Sequence, residues 1–193
     1  MMFSNIKWGG IAGIAAAALF IISAILDQLN PLQRTYDSTA SYIYLGVVVA
    51  AYIGVIIAVL GIHALHSGKP RYGRLGTVGT VLTIAGYLIM IVVRMISMAA
   101  GQESLSNVRI GGGLAVLIGS VLLGVIILRA RMLPWWCGVL LIVAFPLGDV
   151  ANAIFSAAES LLLALLWGSV GVALLARREG VAEPAVTRPA QAG

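Results

Sequence analysis

The chain has 193 residues, of which 61% are hydrophobic and 10% charged, with a mean hydropathy of +1.04. Soluble domains run near 45–50% apolar and about 25% charged, so this composition excludes an aqueous globule and makes lipid the solvent for most of the surface. The formal charge of +5 would suggest nucleic acid in a soluble chain, but here the bases stand at the ends of apolar runs, where they set membrane topology.

A membrane span needs roughly 20 mostly apolar residues. Six stretches qualify in chain order: Trp8–Leu26, Tyr42–Leu65, Leu75–Ala99, Ile110–Leu128, Trp135–Ser156 and Glu159–Ala176. The first follows Lys7 and is longer than a signal-peptide core, without a small-residue cleavage site, so it reads as an uncleaved span. Between the first and second lies the polar connection Asp27–Ser41, where Asp37 or Ser38 is placed to cap the second helix. No polar loop separates the fifth and sixth stretches, which places a tight turn near Ala157. The alternative is a helix broken at Pro146-Leu-Gly-Asp149, since an interior proline deletes a backbone donor. From Glu179 to Gly193 the sequence is rich in Ala, Pro and Glu without apolar periodicity, and reads as a disordered tail after a transmembrane domain spanning 1–178.

The basic residues give the orientation. With the N-terminus inside, Lys7, Lys69, Arg71, Arg74, Arg129, Arg131, Arg177 and Arg178 fall on the cytoplasmic side, against Arg34 and Arg109 outside. That bias puts both termini in the cytoplasm. The expected fold is therefore all-α: a polytopic bundle of six transmembrane helices.

A weak internal repeat suggests three helical hairpins. Lys7-Trp-Gly-Gly-Ile-Ala-Gly13, Arg74-Leu-Gly-Thr-Val-Gly79 and Pro134-Trp-Trp-Cys-Gly138 each open an odd-numbered span. Basic and aromatic residues at an inner boundary are also general membrane chemistry, so convergence is the rival explanation of the likeness. Small residues recur every four positions at Gly46, Ala50, Gly54 and Ala58, at Gly9, Gly13 and Ala17, and at Gly111, Ala115 and Gly119. Such stripes let helix backbones approach closely in lipid, within the bundle or between copies.

Charges inside the apolar runs are few. Arg94 and Asp149 stand out, because a buried charge in a membrane is costly and finds a partner. Arg94 lies 18 residues past Gly76, roughly 27 Å along a helix. Asp27 and Glu159 fall at a similar level and Asp149 deeper. Asn152, three residues after Asp149, shares its face. Arg94, Asp149, Asn152 and Glu159 thus form a candidate ligand site or a buried ion pair. His63 and His66 share a helix face but lack the further ligands that a metal wants, and Cys137 has no base nearby in sequence to make it a nucleophile. One cysteine also excludes an internal disulfide. No phosphate loop, zinc-protease motif or nucleophile elbow is present. No metal, cofactor or enzymatic activity is expected.

The boundary Arg129-Ala-Arg-Met-Leu-Pro-Trp-Trp-Cys-Gly-Val-Leu-Leu-Ile142 resembles small multi-pass membrane proteins of high-GC bacteria. That resemblance implies a bacterial plasma-membrane location and nothing catalytic. Two functions follow as expectations: a non-catalytic partner or structural component of the membrane, associated with itself or with another membrane protein, or a protein that binds or transports a small molecule, ion or lipid through an outward site around Arg94 and Asp149.

Overall fold

The computed structural model describes residues 2–29, 38–66, 72–100, 105–131, 133–152, 155 and 157–179, with the backbone alone at 2–5, 149, 152, 178 and 179. These residues form six helices: α1 (Met2–Leu29), α2 (Thr39–His66), α3 (Gly73–Ala100), α4 (Ser106–Ala130), α5 (Trp135–Asn152) and α6 (Ala158–Glu179). Helices are the outcome that apolar surroundings demand, since each backbone N–H and C=O must be paired within the segment. Five helices are long and apolar enough to cross a membrane, and α5 has a shorter apolar part, Trp135–Gly148. The chain is a multi-pass integral membrane protein built as a helical bundle.

Several boundaries differ from the sequence reading. Asp27 belongs to the last turn of α1, not to a loop, because the helix continues past the edge of the apolar run. The Ser41 amide donates to Ser38 Oγ at 3.2 Å, so Ser38 caps α2, while Asp37 lies outside the described residues. The fifth helix is not broken at Pro146: α5 runs through it to Asn152. Proline removes one helical donor there, and the side chain is accommodated on an exposed face. The turn before α6 falls at Ala157, with the Ala158 amide donating to the Phe155 carbonyl at 2.9 Å. The expected tail lies outside the described residues from Gly180 onward.

The helices alternate in direction, so the start of α1 and the end of α6 sit at one end of the bundle, opposite its distal end. Neighbour contacts run α2–α3, α3–α4, α4–α5 and α5–α6, with α2 touching α6 to close a ring. The first helix lies in the groove between α2 and α6 and packs extensively on both.

Glycine meets glycine at most of these crossings. A Cβ built on Gly9 would lie 2.6 Å from the Gly61 Cα, and one on Gly54 would lie 3.0 Å from the Ala16 Cβ. In the α3–α4 pair a Cβ on Gly86 would lie 2.7 Å from the Gly112 carbonyl, and one on Gly119 would lie 2.9 Å from the Gly79 carbonyl. Within each helix these small residues are seven apart, a spacing that drifts only about 20° around a helix. A step of four drifts about 40° at 3.6 residues per turn. That drift corrects the stripe of fours in α2: Gly54 and Ala58 pack inward, but Gly46 and Ala50 are exposed. In α4 likewise, Gly119 is buried and Gly111 is exposed. The α1 stripe is shared between two neighbours, Gly9 against α2 and Gly13 against Trp167 and Gly171 of α6.

Large apolar side chains cover the outside, with Ile25, Val81, Leu114 and Val172 each more than half exposed. A soluble monomer does not show apolar faces on this scale; in a bilayer they face acyl chains. Buried hydroxyls return to the backbone, as Ser23 Oγ does to the Phe20 carbonyl and Thr83 Oγ1 to the Gly79 carbonyl, each at 2.8 Å.

Candidate functional site

A file of aromatic rings crosses the bundle inside the helix ring. Phe20 and Tyr52 have ring centroids 6.2 Å apart, Tyr52 and Tyr87 5.2 Å, and Tyr87 and Phe145 6.5 Å. These tilted spacings are favourable for aromatic pairs. Residues from α1, α2, α3 and α5 are thereby tied together at mid-bundle.

Beside this file is a cavity of about 280 Å³, walled by Tyr52, Tyr87, Met90, Gly113, Phe145 and Glu159 among others. Its lining comes from α2, α3, α4, α5 and α6, the five members of the ring, and from none of α1. That size is at the lower edge of small-molecule pockets, which begin near 300 Å³. Its walls are mostly apolar, with the Tyr52 and Tyr87 hydroxyls and the Glu159 carboxylate as the polar exceptions.

Arg94 and Glu159 both approach this region. Both are half-buried, and both lie within electrostatic range of the Tyr44 and Tyr52 hydroxyls. The Arg94 guanidinium comes within hydrogen-bonding reach of Tyr52, and Asp27 adds a third charge near Tyr44. Glu159 stands in the first turn of α6 against Gly148 of α5, where a Cβ would lie 3.3 Å from the Glu159 Cγ. Asp149 follows Gly148 and Asn152 ends α5, but the side chains of both lie outside the described residues. The structure therefore gathers two of the four sequence-expected residues, Arg94 and Glu159, around two tyrosines. Tyr52, Tyr87, Phe145 and Trp167 were not singled out from sequence. The available signal was aromatic residues in the middle of apolar spans, away from the interfaces where Trp and Tyr are usually enriched.

A further polar group stands out at the cavity wall, the Tyr87 hydroxyl, with the Trp167 indole close to it but outside the lining. Tyr87 is 2% exposed and Trp167 0%, and the two side chains are close neighbours. Neither the Tyr87 hydroxyl nor the Trp167 indole nitrogen Nε1 makes a hydrogen bond of full geometry, and the two groups are within reach of one another.

The histidines sit at the other end of the bundle. His63 Nδ1 is 3.0 Å from the Tyr72 hydroxyl, which is 2.6 Å from Thr80 Oγ1. His66 Nδ1 donates to the Ile62 carbonyl at 2.8 Å, and its ring stacks on Tyr72 at 5.6 Å between centroids. These contacts clasp the end of α2 to the start of α3. Among the described residues, no group of three or more His, Cys, Asp or Glu is placed to hold a metal. Cys137 is a buried free thiol in the apolar core.

No protein-family model, curated protein or solved structure matches this chain.

Proposed function

We propose that this membrane protein binds a small molecule in the distal cavity of its helix ring, without catalysing a reaction on it. The observation that carries the reading is the cavity itself: an apolar chamber inside the ring, with Glu159 and two tyrosine hydroxyls on its wall and Arg94 beside Tyr52. Few convergent polar groups in an apolar pocket are the usual make-up of a ligand site. Intramembrane charges of the Arg94 and Glu159 kind are, by default, functional candidates as well. Asp149 and Asn152, at the distal end of α5, belong to the same proposed site.

The positive-inside bias supports two cytoplasmic termini and a cavity directed outward. The boundary resemblance at Arg129–Ile142 supports a bacterial plasma membrane. A second reading, a partner or structural component of the membrane, draws on small residues left facing outward. Nothing lies within 4 Å of a Cβ built on Gly46 or Gly111, and such positions suit close approach by another helix.

Native mass spectrometry of the protein gently extracted from its own membrane tests both. A retained small molecule, lost when Tyr87 and Phe145 are both replaced by alanine, is the expected result. A defined oligomer or a second polypeptide with no small molecule would overturn the ligand reading in favour of the partner.

A further inference from the structure

The Tyr87 hydroxyl at the cavity wall has a definite chemistry. An indole nitrogen can only donate, and a phenol can donate as well as accept. The Trp167 indole is placed to donate to the phenol oxygen, but a buried hydroxyl without an acceptor of its own costs free energy in apolar surroundings, so Tyr87 calls for an oxygen in the cavity. Tyr87 falls 14 residues after the start of α3 at Gly73, about 21 Å along a helix 28 residues long. That is half-way through the span, in the hydrocarbon layer of about 30 Å. The ester and phosphate groups of a phospholipid are held far from this depth, so the oxygen belongs to a molecule that can sink into the bilayer.

The walls also define a route. On one side α3 and α4 are sealed by the Gly86–Gly112 crossing, and on the other α5 and α6 meet at Gly148 and Glu159. The close approach of α4 to α5, at Gly124 and Gly138, belongs to the opposite end of the bundle. In their distal halves, Ile110 and Leu114 of α4 line the cavity and are also 59% and 53% exposed. The same side chains thus face the chamber and the lipid. Gly113 lines the cavity between them, and a Cβ built there would meet nothing within 4 Å.

We infer that the cavity takes an uncharged, lipid-soluble molecule carrying a carbonyl or ether oxygen, which enters sideways from the bilayer between the distal halves of α4 and α5. Its oxygen accepts from the Tyr87 hydroxyl. This rests on the ligand-binding reading above and adds the chemical class and the route.

The test uses the full chain in nanodiscs and two photoactivatable probes of equal length, a diazirine-tagged methyl ketone and the same chain with the carbonyl replaced by methylene. The ketone should label the residues around Phe145 and Leu117 more strongly, by about fivefold for one net hydrogen bond. Tyr87→Phe should reduce it to the level of the hydrocarbon, and Gly113→Trp should suppress both. Equal labelling by the two probes, unchanged in Tyr87→Phe, would overturn the proposed chemistry. For the route, Gly113→Cys in a Cys137→Ala background should react with a lipid-soluble maleimide and resist a charged, impermeant thiosulfonate. Rapid reaction with the charged reagent would overturn lateral entry, yet a small molecule retained in native mass spectrometry would keep the binding reading standing. If no molecule is retained and neither probe labels the cavity, both readings fall.

Discussion

Gly9 and Gly61 cross with their backbones in contact: a Cβ added to Gly9 would lie 2.6 Å from the Gly61 Cα, and one added to Gly61 would lie 2.7 Å from the Gly9 Cα. Because the clash is with main chain, no side-chain rotamer relieves it. Gly61→Leu should therefore destabilise the bundle by at least the 1–3 kcal/mol typical of overpacking. Gly46→Leu, in open space on the same helix, should leave stability unchanged. Thermal unfolding of the two variants in detergent checks the contrast; equal melting temperatures would show that the α1–α2 crossing can slide.

Arg94 and Glu159 converge on the same two tyrosines, Tyr44 and Tyr52. Arg94→Met should lower folded yield, since it leaves the acids at this level of the membrane without the arginine's charge. Adding Glu159→Met should restore most of it, and adding Asp149→Met should restore less. A double-mutant cycle read by folded yield decides which acid answers the arginine. Rescue by Asp149→Met alone would transfer the pairing to α5.

Tyr72 is buried against His63, His66 and Thr80 at the start of α3, and burial pushes its hydroxyl above the ordinary value of 10.0, with the Thr80 hydrogen bond pulling the other way. A raised value in the folded state means stability that is intact below pH 10 and lost as pH climbs through the folded-state value. Tyr72→Phe should flatten that alkaline loss while weakening the clasp near neutral pH by about 1 kcal/mol. A pH series of melting temperatures above and below pH 10 measures both. An alkaline slope unchanged by the substitution would assign the loss to other tyrosines.

The basic residues predict that a reporter fused at either end of the chain is active only in the cytoplasm. Reversing the bias by Arg129→Glu and Arg131→Glu together should yield a mixed population in protease-protection assays, because the bases in the α4–α5 connection help hold it inside. A single orientation in that variant would show that the remaining bases suffice.

How much of this was legible beforehand depends on the feature. Each apolar run became a helix, since apolar length decides spanning where backbone groups have no water to bind. The ends were less legible: Asp27 looks like loop in sequence, yet stays helical because the ladder of backbone bonds outlasts the apolar stretch. Pro146 looked like a break and is carried within α5. Small residues announced close packing, but counting in fours chose Gly46 and Gly111, whereas the contacting pairs follow sevens, as at Gly79 and Gly86 opposite Gly119 and Gly112. Arg94 and Glu159 were readable as rare charges. The cavity was not, because Tyr52, Tyr87 and Phe145 are ordinary span residues until three helices bring their rings together.

The seat of α1 has a consequence for how the protein is made. Its glycine face is divided, with Gly9 answering α2 and Gly10 and Gly13 answering Gly171 and its neighbours in α6. Synthesised before the other five, α1 therefore pairs at once with α2, but its α6-facing side has no match until α6 is inserted. Domains are generally built in order of synthesis; here α1 must wait for α6, four helices after its first partner. A nascent chain stalled before α6 would present an open glycine seam to the bilayer, a mark by which membrane quality-control proteases could tell an unfinished copy from a complete one.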